Sequence, residues 1–392
     1  MHPIELSYSL SAARGKDALI RNPLLDMLQA VREHGSISKA ARALELSYRH
    51  VWGALKSSEN QLGHTLILWG QGQRAQLSEF GEKLLWAERQ AQARLAPQIE
   101  ALRGDIERAF SMAFDDNARL LTLYASHDVA LSALKTQTAT HGLHLDIRFM
   151  GSVDAIAALN AGRCTMAGFH TLVQPEKDSH AATAYRSLLK PGLHKLIGFA
   201  DRTQGLIVAR GNPLRINGLA DLTRPGLRYV NRAEGTGTRV VLDDLLARAG
   251  LPSSAVSGYN TQEPSHSAVA QAIAAGAADA GLGIEAEALG KALGFVPLAT
   301  ERYHLVCLKS ELQTAPVQAL LAELRGAPWQ QTLGSLPGYT AQGGAASSAN
   351  RSGKVLSLST ELPWWRYRQP KNRPPALAVK QPAIASTNPT PR

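Results

Sequence analysis

Two sets of residues in this 392-residue chain have the types and spacing for binding chemistry. The first is a series of corners at which a short apolar run ends in small polar residues and a helix-forming run follows. These are Ser126-His127, Gly151-Ser152, Gly235-Thr236-Gly237-Thr238 and Ser265-His266-Ser267. The first N–H groups of a helix have no carbonyl partner and its peptide dipoles add, so such a corner attracts an anion. Gly235 and Gly237 allow the backbone to approach a ligand closely, and Thr236 and Thr238 carry hydroxyl donors. One glycine-threonine turn is more often just a helix cap; four corners in one stretch are harder to dismiss. The second set is Ser47, Tyr48, Arg49, Trp52, Gly53 and Lys56, with Ser36 before it and Arg74 further on. Cations and an aromatic ring on one helical face suit phosphate neutralisation and contact with base edges.

The second set needs a framework, and the surrounding sequence supplies one. Asn22-Pro23 is a helix start: a capping amide, then a proline where its missing N–H costs nothing. Leu24, Leu28 and Val31 recur at helical spacing, and Gly35 can end the run in a left-handed conformation. Ser36 caps a second helix, Ile37 to Leu44, whose Ala40, Ala41 and Leu44 suit close packing. Ser47 caps a third, from Tyr48 to about Gln61, with Val51, Leu55 and Leu62 inward and the binding set outward. Two short helices joined by three residues make the tight corner that lays a helix in a major groove. From Ser78 to about Ala109 a long helix is expected, with Leu84, Leu85, Ala91, Leu95, Ile99, Leu102 and Ile106 forming an apolar stripe. Pro97 should kink or divide it. A stripe longer than a small domain can cover commonly pairs with a twin.

The first set needs strands that stop at the corners. Leu120–Ala125, His144–Met150, Thr165–Phe169, Leu206–Ala209, Gly226–Val230, Ala278–Gly283, Phe295–Leu298 and Tyr303–Leu308 read as strands, with helices between most of them. This alternation predicts an α/β domain with mostly parallel sheets, whose ligands collect beyond the carboxyl ends of strands. After Tyr339 the chain turns rich in Gly, Ala and Ser, recovers around Val355, and from Arg366 is Pro-rich, basic and without periodicity. Residues 366–392 are expected to be disordered.

Composition narrows the classes further. The formal charge is +10, but residues 1–110 hold 14 Lys+Arg against 12 Asp+Glu, while residues 366–392 hold six against none. The basic balance therefore reports the tail, and affinity for double-stranded DNA must rest on the placement of Arg49, Lys56 and Arg74. Two cysteines, Cys164 and Cys307, argue against a disulfide framework. Neither a signal peptide nor a stretch of about 18 apolar residues is apparent, so a cytoplasmic protein without a membrane is expected. The histidines are scattered without metal-ligand spacing. No Gly-x-Ser-x-Gly elbow or Walker sequence is present, so no enzyme, metal or cofactor is expected.

The run "EHGSISKAARALELSYRHVWGALKSSENQLGHTLILWGQGQRAQLSEFGEKLL" resembles the amino-terminal winged helix-turn-helix of LysR-type regulators. "LSYRHVWGAL" and the wing "GQGQRAQLSEFG" are closer still to the molybdate-responsive ModE branch. Trp69 departs from the LysR pattern, which usually has arginine there. Residues 120 to 365 resemble type II periplasmic binding proteins. "NRAEGTGTR", "SHSAVAQAIAAGAADAGLGIEAEA" and "FVPLATERYHLVCLK" are similar to the molybdate-binding-protein-like domain attached to some regulators. The resemblance implies a multidomain chain: a winged helix-turn-helix over residues 1–81, a linker and dimerisation helix over 82–115, a two-lobed α/β sensor over 116–365, and the tail. It implies a homodimer, or a higher homo-oligomer, that binds DNA under the control of an oxyanion such as molybdate or tungstate. Ser126, Ser152, Thr236, Thr238 and the turn near His266 are the implied contacts, with His127, Gly151, Gly235, Gly237 and Arg239 beside them. Molybdate-binding relatives avoid charged side chains; Arg232, Arg239, His127, His170 and His266 near these corners would also accept a carboxylate such as formate. The alternative is a molybdenum-cofactor or oxyanion carrier whose first domain makes protein contacts.

Overall fold

The computed structural model describes residues 22–68, 74–114, 119–340 and 351–365. Trp69, the lead-in and the basic tail fall outside them. The chain opens with three helices, α1 (Pro23–His34), α2 (Ile37–Ala43) and α3 (Tyr48–Leu62). Each begins as its sequence dictates. The Asn22 side chain accepts from Leu24 N, Ser36 from Lys39 N and Ser47 from His50 N, while Gly35 closes α1 at φ 62°. Strands β1 (Ile67–Leu68) and β2 (Gln76–Leu77) pair antiparallel as the base of the wing. Leu28, Val31, Ala40, Val51, Leu55 and Leu66 are the centre of this domain's core, all nearly or wholly removed from solvent. A buried leucine contributes roughly 1.5–3 kcal/mol, so this small core alone anchors the three helices.

Helix α4 runs unbroken from Glu79 to Phe114. The division considered at Pro97 does not occur. Its first turns pack into the helix-turn-helix core through Leu85, whereas Trp86, Leu95 and Leu102 are exposed.

The second domain follows as β3 (Arg119–Ala125), α5 (Val129–Ala139), β4 (Leu143–Phe149), α6 (Ser152–Asn160), β5 (Met166–Leu172), α7 (His180–Tyr185) and β6 (His194–Val208). Then come β7 (Asn231–Arg232), α8 (Gly237–Arg248), β8 (Gln262–Glu263), α9 (His266–Ala274), β9 (Ala280–Ile284), α10 (Glu285–Leu289) and β10 (Gly294–Leu308). The last elements are α11 (Ala315–Arg325), α12 (Ala327–Ser335), β11 (Tyr339–Thr340), β12 (Val355–Leu356) and α13 (Leu358–Glu361).

The expectation of mostly parallel sheets needs correction. Strands β3, β4 and β5 are parallel, but β10 runs antiparallel to both β5 and β6, and β6 is antiparallel to β9, β11 and β12. The physical reason lies in β6 and β10. In the sequence only the end of β6 stands out as a strand, and β10 looks like two. Each is one strand of 15 residues, and they pair along their whole length. They pass from one lobe to the other and back, so the lobes share a two-stranded crossing. Pro297, which has no N–H to give, lies beside a register shift in β10. Opposite it Gly205 is obligatory, because a Cβ there would lie 2.3 Å from Val296 O. The predicted strand at Gly226–Val230 is reduced to a single bridge from Tyr229 to Ala280.

One lobe is cored by β3–β5 with α5, α11 and α12 on one face, and by Ile156, Phe169, Tyr185, Leu362 and Trp364 on the other. The second lobe packs β9 and the far halves of β6 and β10 against α8 and α9. Among the described residues, no helix is long and apolar enough to cross a membrane.

Candidate functional site

Helix α3 sets one apolar side into the core and turns the other outward. Val51 and Leu55 are buried, while Tyr48, Arg49, Trp52 and Gly53 are exposed and Lys56 is half-buried. The outward set is therefore continuous, as the spacing requires. Lys56 Nζ is 2.6 Å from Glu59 and lies 6.0 Å from the centre of the Trp52 ring. Glu59 in turn accepts from Leu66 N and Ile67 N, tying α3 to the first wing strand. Arg74 is exposed two residues before the second wing strand and lies over Gly35. Ser36 and Ser47 serve as caps of α2 and α3.

In the second domain the four corners meet between the lobes. Ser126-His127 and Gly151-Ser152 stand at the ends of β3 and β4 in one lobe; Gly235–Thr238 and Ser265-His266 stand at the starts of α8 and α9 in the other. The lobes touch here directly. Val153 N donates to Gly235 O at 3.3 Å across the interface. A Cβ on Gly151 would lie 2.8 Å from Gly235 O, and one on Gly237 would lie 2.4 Å from the His170 ring. Ser152, Thr238 and His266 are buried, and the last two share a contact of 3.2 Å between Oγ1 and Nε2. Several of the nominated hydroxyls are engaged with the protein itself. Ser126 Oγ donates to Met150 O, and Thr236 Oγ1 donates to Ala233 O while accepting from Arg239 N. Arg239 turns to Tyr259, 3.8 Å from the ring centre, and to Asp243 at 3.5 Å.

Beneath the corners, where β6 and β10 cross, lies a charge network that no local sequence pattern predicts. Arg202 on β6 is 1% exposed and pairs with Asp128 and with Glu301 of β10. Tyr339 Oη donates to Asp128 at 2.7 Å and Gln204 to Glu301 at 2.8 Å. Burial opposes the charge on Arg202, yet Glu301 and Asp128 hold its pKa well above the usual arginine value. Burial raises the Glu301 carboxyl, and Arg202 only partly offsets it. His170, His266 and His304 are each pushed well below the usual histidine range, by burial first and by neighbouring arginines next. The sequence did hold a signal. Asp201-Arg202 and Glu301-Arg302 are charged pairs in the middle of two long, largely buried strands.

Arg232 on β7 differs from Arg202. It is 2% exposed, its Nη1 reaches only the Glu263 carbonyl at 3.3 Å, and its Nε has no partner. Burial, with the Arg202 charge nearby, pulls it down to about 9. The Glu263 carboxylate is instead held by the linker helix: Arg94 and Gln90 of α4 donate to it at 2.7–2.9 Å. Ser265 Oγ, the cap of α9, also donates to Ala93 O of α4 at 3.2 Å.

A solvent-facing helix on a small helical domain, followed by a two-lobed α/β domain with a polar interlobe site, defines a class. Residues 24–82 match the model of the bacterial regulatory helix-turn-helix protein, lysR family, and residues 133–325 match that of a PBP superfamily domain. The chain thus carries a helix-turn-helix of the lysR type joined to a domain of the PBP superfamily. It is 32% identical over 192 residues to the uncharacterized protein YvgK of Bacillus subtilis (strain 168), a match spanning 49% of this chain and 61% of that protein. It is 32% identical over 101 residues to an uncharacterized protein in the ferredoxin 2Fe-2S gene 5' region of Clostridium pasteurianum, covering 26% of this chain and 89% of that one. Among solved structures it is similar to CbnR, a LysR family transcriptional regulator (18% identity, 76% of this chain and 95% of that chain, TM-score 0.37). It is similar also to ArgP from Mycobacterium tuberculosis (18% identity, 78% and 96%, TM-score 0.37).

Proposed function

We propose that the protein is a transcription regulator that reads double-stranded DNA with α3 and is controlled by a small anion bound between the two lobes of its second domain. The observation that carries the reading is the pairing, in one chain, of an outward-facing Tyr48-Arg49-Trp52-Gly53 surface on a lysR-family helix-turn-helix with four helix-start corners gathered in one interlobe site. Molybdate, tungstate or formate is the class of effector that the corners suit, since each offers compact oxygen acceptors to N–H and O–H donors. The exposed Trp86, Leu95 and Leu102 on α4 support a homodimer through the linker, which would set two copies of α3 about one DNA turn, ~34 Å, or a multiple apart. The protein acts in the cytoplasm, where the DNA is.

The test is fluorescence anisotropy with the DNA upstream of the protein's own gene, measured over a salt series with and without each anion. Arg49→Ala is expected to weaken binding several-fold on all sequences, or selectively at one base position if the side chain reads a base. Loss of a phosphate contact would reduce the slope of log K against log salt by about one. Wild-type affinity and slope in Arg49→Ala and in Lys56→Ala alike would overturn the assignment of α3. A DNA affinity indifferent to every anion would overturn the effector half of the reading.

A further inference from the structure

Among the buried nitrogens of the interlobe site that no protein group hydrogen-bonds are one from each lobe, His170 Nε2 and Arg232 Nε. We propose that a small oxygen-bearing anion bridges the lobes by accepting hydrogen bonds from Arg232 Nε–H on one side and His170 Nε2–H on the other. The inference rests on the anion-sensor reading above and adds the residues that hold the charge.

The tautomer of His170 follows from its neighbour. Its Nδ1 lies 3.3 Å from Arg202 Nη2. A guanidinium has only donors, so Nδ1 must accept and the single proton of the neutral ring sits on Nε2. That Nε2 is buried without a partner. Arg232 stands on the strand that leads into α8, and the first turn of α8 is pressed against the His170 ring at Gly237. Its Nε is likewise buried and unpaired, and the carboxylates that act on its charge, Glu287 and Glu263, do so only through space, without a direct ion pair. A buried cation whose counter-charges lie beyond direct contact is costly, and a buried donor without an acceptor adds to that cost. An anion placed between the two groups removes both penalties and joins the lobes.

The other cations are already committed. Arg202 is spent on Asp128 and Glu301, and Arg239 lies on Tyr259 beside Asp243. The ligand must also be small, because at Gly151 and at Gly237 the lobes leave no room even for a methyl group. A carboxylate of one or two carbons and a tetrahedral oxyanion share this chemistry: compact, anionic, with at least two acceptor oxygens. One buried guanidinium is what distinguishes such a site from one built of neutral donors alone.

The test is calorimetric titration of the full-length protein with sodium formate, sodium molybdate and sodium sulfate, each against sodium chloride at matched ionic strength. Wild type should bind at least one of them; Arg232→Gln should weaken that binding tenfold or more. Arg232→Lys, which keeps the charge but not the Nε–H, should fall between the two. His170→Gln, which retains a donor near the Nε2 position, should bind better than His170→Phe. Should Arg232→Gln lack the wild-type circular dichroism spectrum, Arg232→Lys and the His170 pair decide the matter. If wild type binds and these variants match it within twofold, the clamp is wrong while the anion sensor stands. If wild type binds none of the three, the sensor reading fails and the clamp with it.

Discussion

The outward face of α3 and the floor of the interlobe site both display cations beside aromatic rings, yet they are built on opposite terms. Arg49 is exposed, and Lys56 has one surface partner, Glu59. Arg202 is 1% exposed and is held by two carboxylates, with Tyr303 5.4 Å away and His170 at its edge. On the surface a cation is stabilised by water and is ready to exchange that water for a phosphate. In the interior it has been fixed by a network that must be complete, because each unpaired charge costs several kcal/mol. Arg232 is instructive because it is buried like Arg202 but lacks its network. Burial alone therefore does not mark a structural ion; burial with complete pairing does.

Removing Arg202 should break this comparison most forcefully. Arg202→Leu would leave Asp128 and Glu301 buried without their cation, and a loss of about 3–5 kcal/mol in unfolding free energy is expected. Arg49→Leu, which strips an exposed charge, should stay within about 0.5 kcal/mol. The pH dependence has a definite sign. The folded-state pKa of Glu301 is already raised by burial. Without Arg202 it would rise further, so the deficit should be greatest above that folded pKa and shrink as pH falls toward the unfolded carboxylate value. In the wild type the histidines act the other way. The folded pKa values of His170, His266 and His304 are depressed, so their contribution is present above about 6.5 and is lost as pH falls below it. Each contributes a slope of roughly 1.4 kcal/mol per pH unit through that window. Urea unfolding at pH 5 and pH 8 measures both effects; equal Arg202→Leu deficits at the two pH values would dismiss the uncompensated carboxylates as the cause.

The two regions were also unequally legible in the sequence. The α3 face could be read because everything that orients it is local: Ser47 caps the helix, Val51 and Leu55 fix the buried side, and the remaining positions must point out. The corners were legible for the same reason, each being a strand end followed closely by a helix start. The network was not, since Arg202 meets residues 74 and 99 positions away. Those meetings depend on β6 and β10 running antiparallel as single long strands. Gly205 and Pro297 obscured that continuity, since within a strand pattern each reads as a break. The commitment of Arg239 to Tyr259 was equally hidden, because Tyr259 reaches it from a loop rather than from the same helix.

A substitution at the rim sharpens the comparison from the side of the cleft. Gly151→Ala would place a methyl group 2.8 Å from Gly235 O, a backbone atom that cannot swing aside. The lobes should separate at this edge, at the expense of the Val153 N to Gly235 O bond. Overpacking of this kind typically costs about 1–3 kcal/mol. It should appear as a five- to hundredfold loss of anion affinity with unchanged DNA affinity in the absence of anion. Anion titration and anisotropy on the same preparation check it, and an unchanged anion affinity would show that ligand binding does not require this contact.

The smallest expected effect on stability bears on how the two regions communicate. Arg94 is about half exposed, so its pair with the buried Glu263 is partly screened, and Arg94→Ala should cost under about 1 kcal/mol. Its position gives it a larger consequence for regulation. The Glu263 carboxylate is held by α4, while the Glu263 carbonyl accepts from Arg232 in the cleft, and two residues on Ser265 ties the start of α9 to Ala93. A ligand that draws Arg232 toward itself changes what this short strand offers to the linker helix that continues from the DNA-reading domain. An effector shifts an equilibrium only by its differential affinity for the two states, and a coupling of about 1–3 kcal/mol is enough for regulation. Arg94→Ala should therefore bind anion and DNA separately with near wild-type affinity, yet show a smaller change in DNA affinity when anion is added. If the anion response of DNA binding is fully retained in Arg94→Ala and in Gln90→Ala, the signal leaves the cleft by another route.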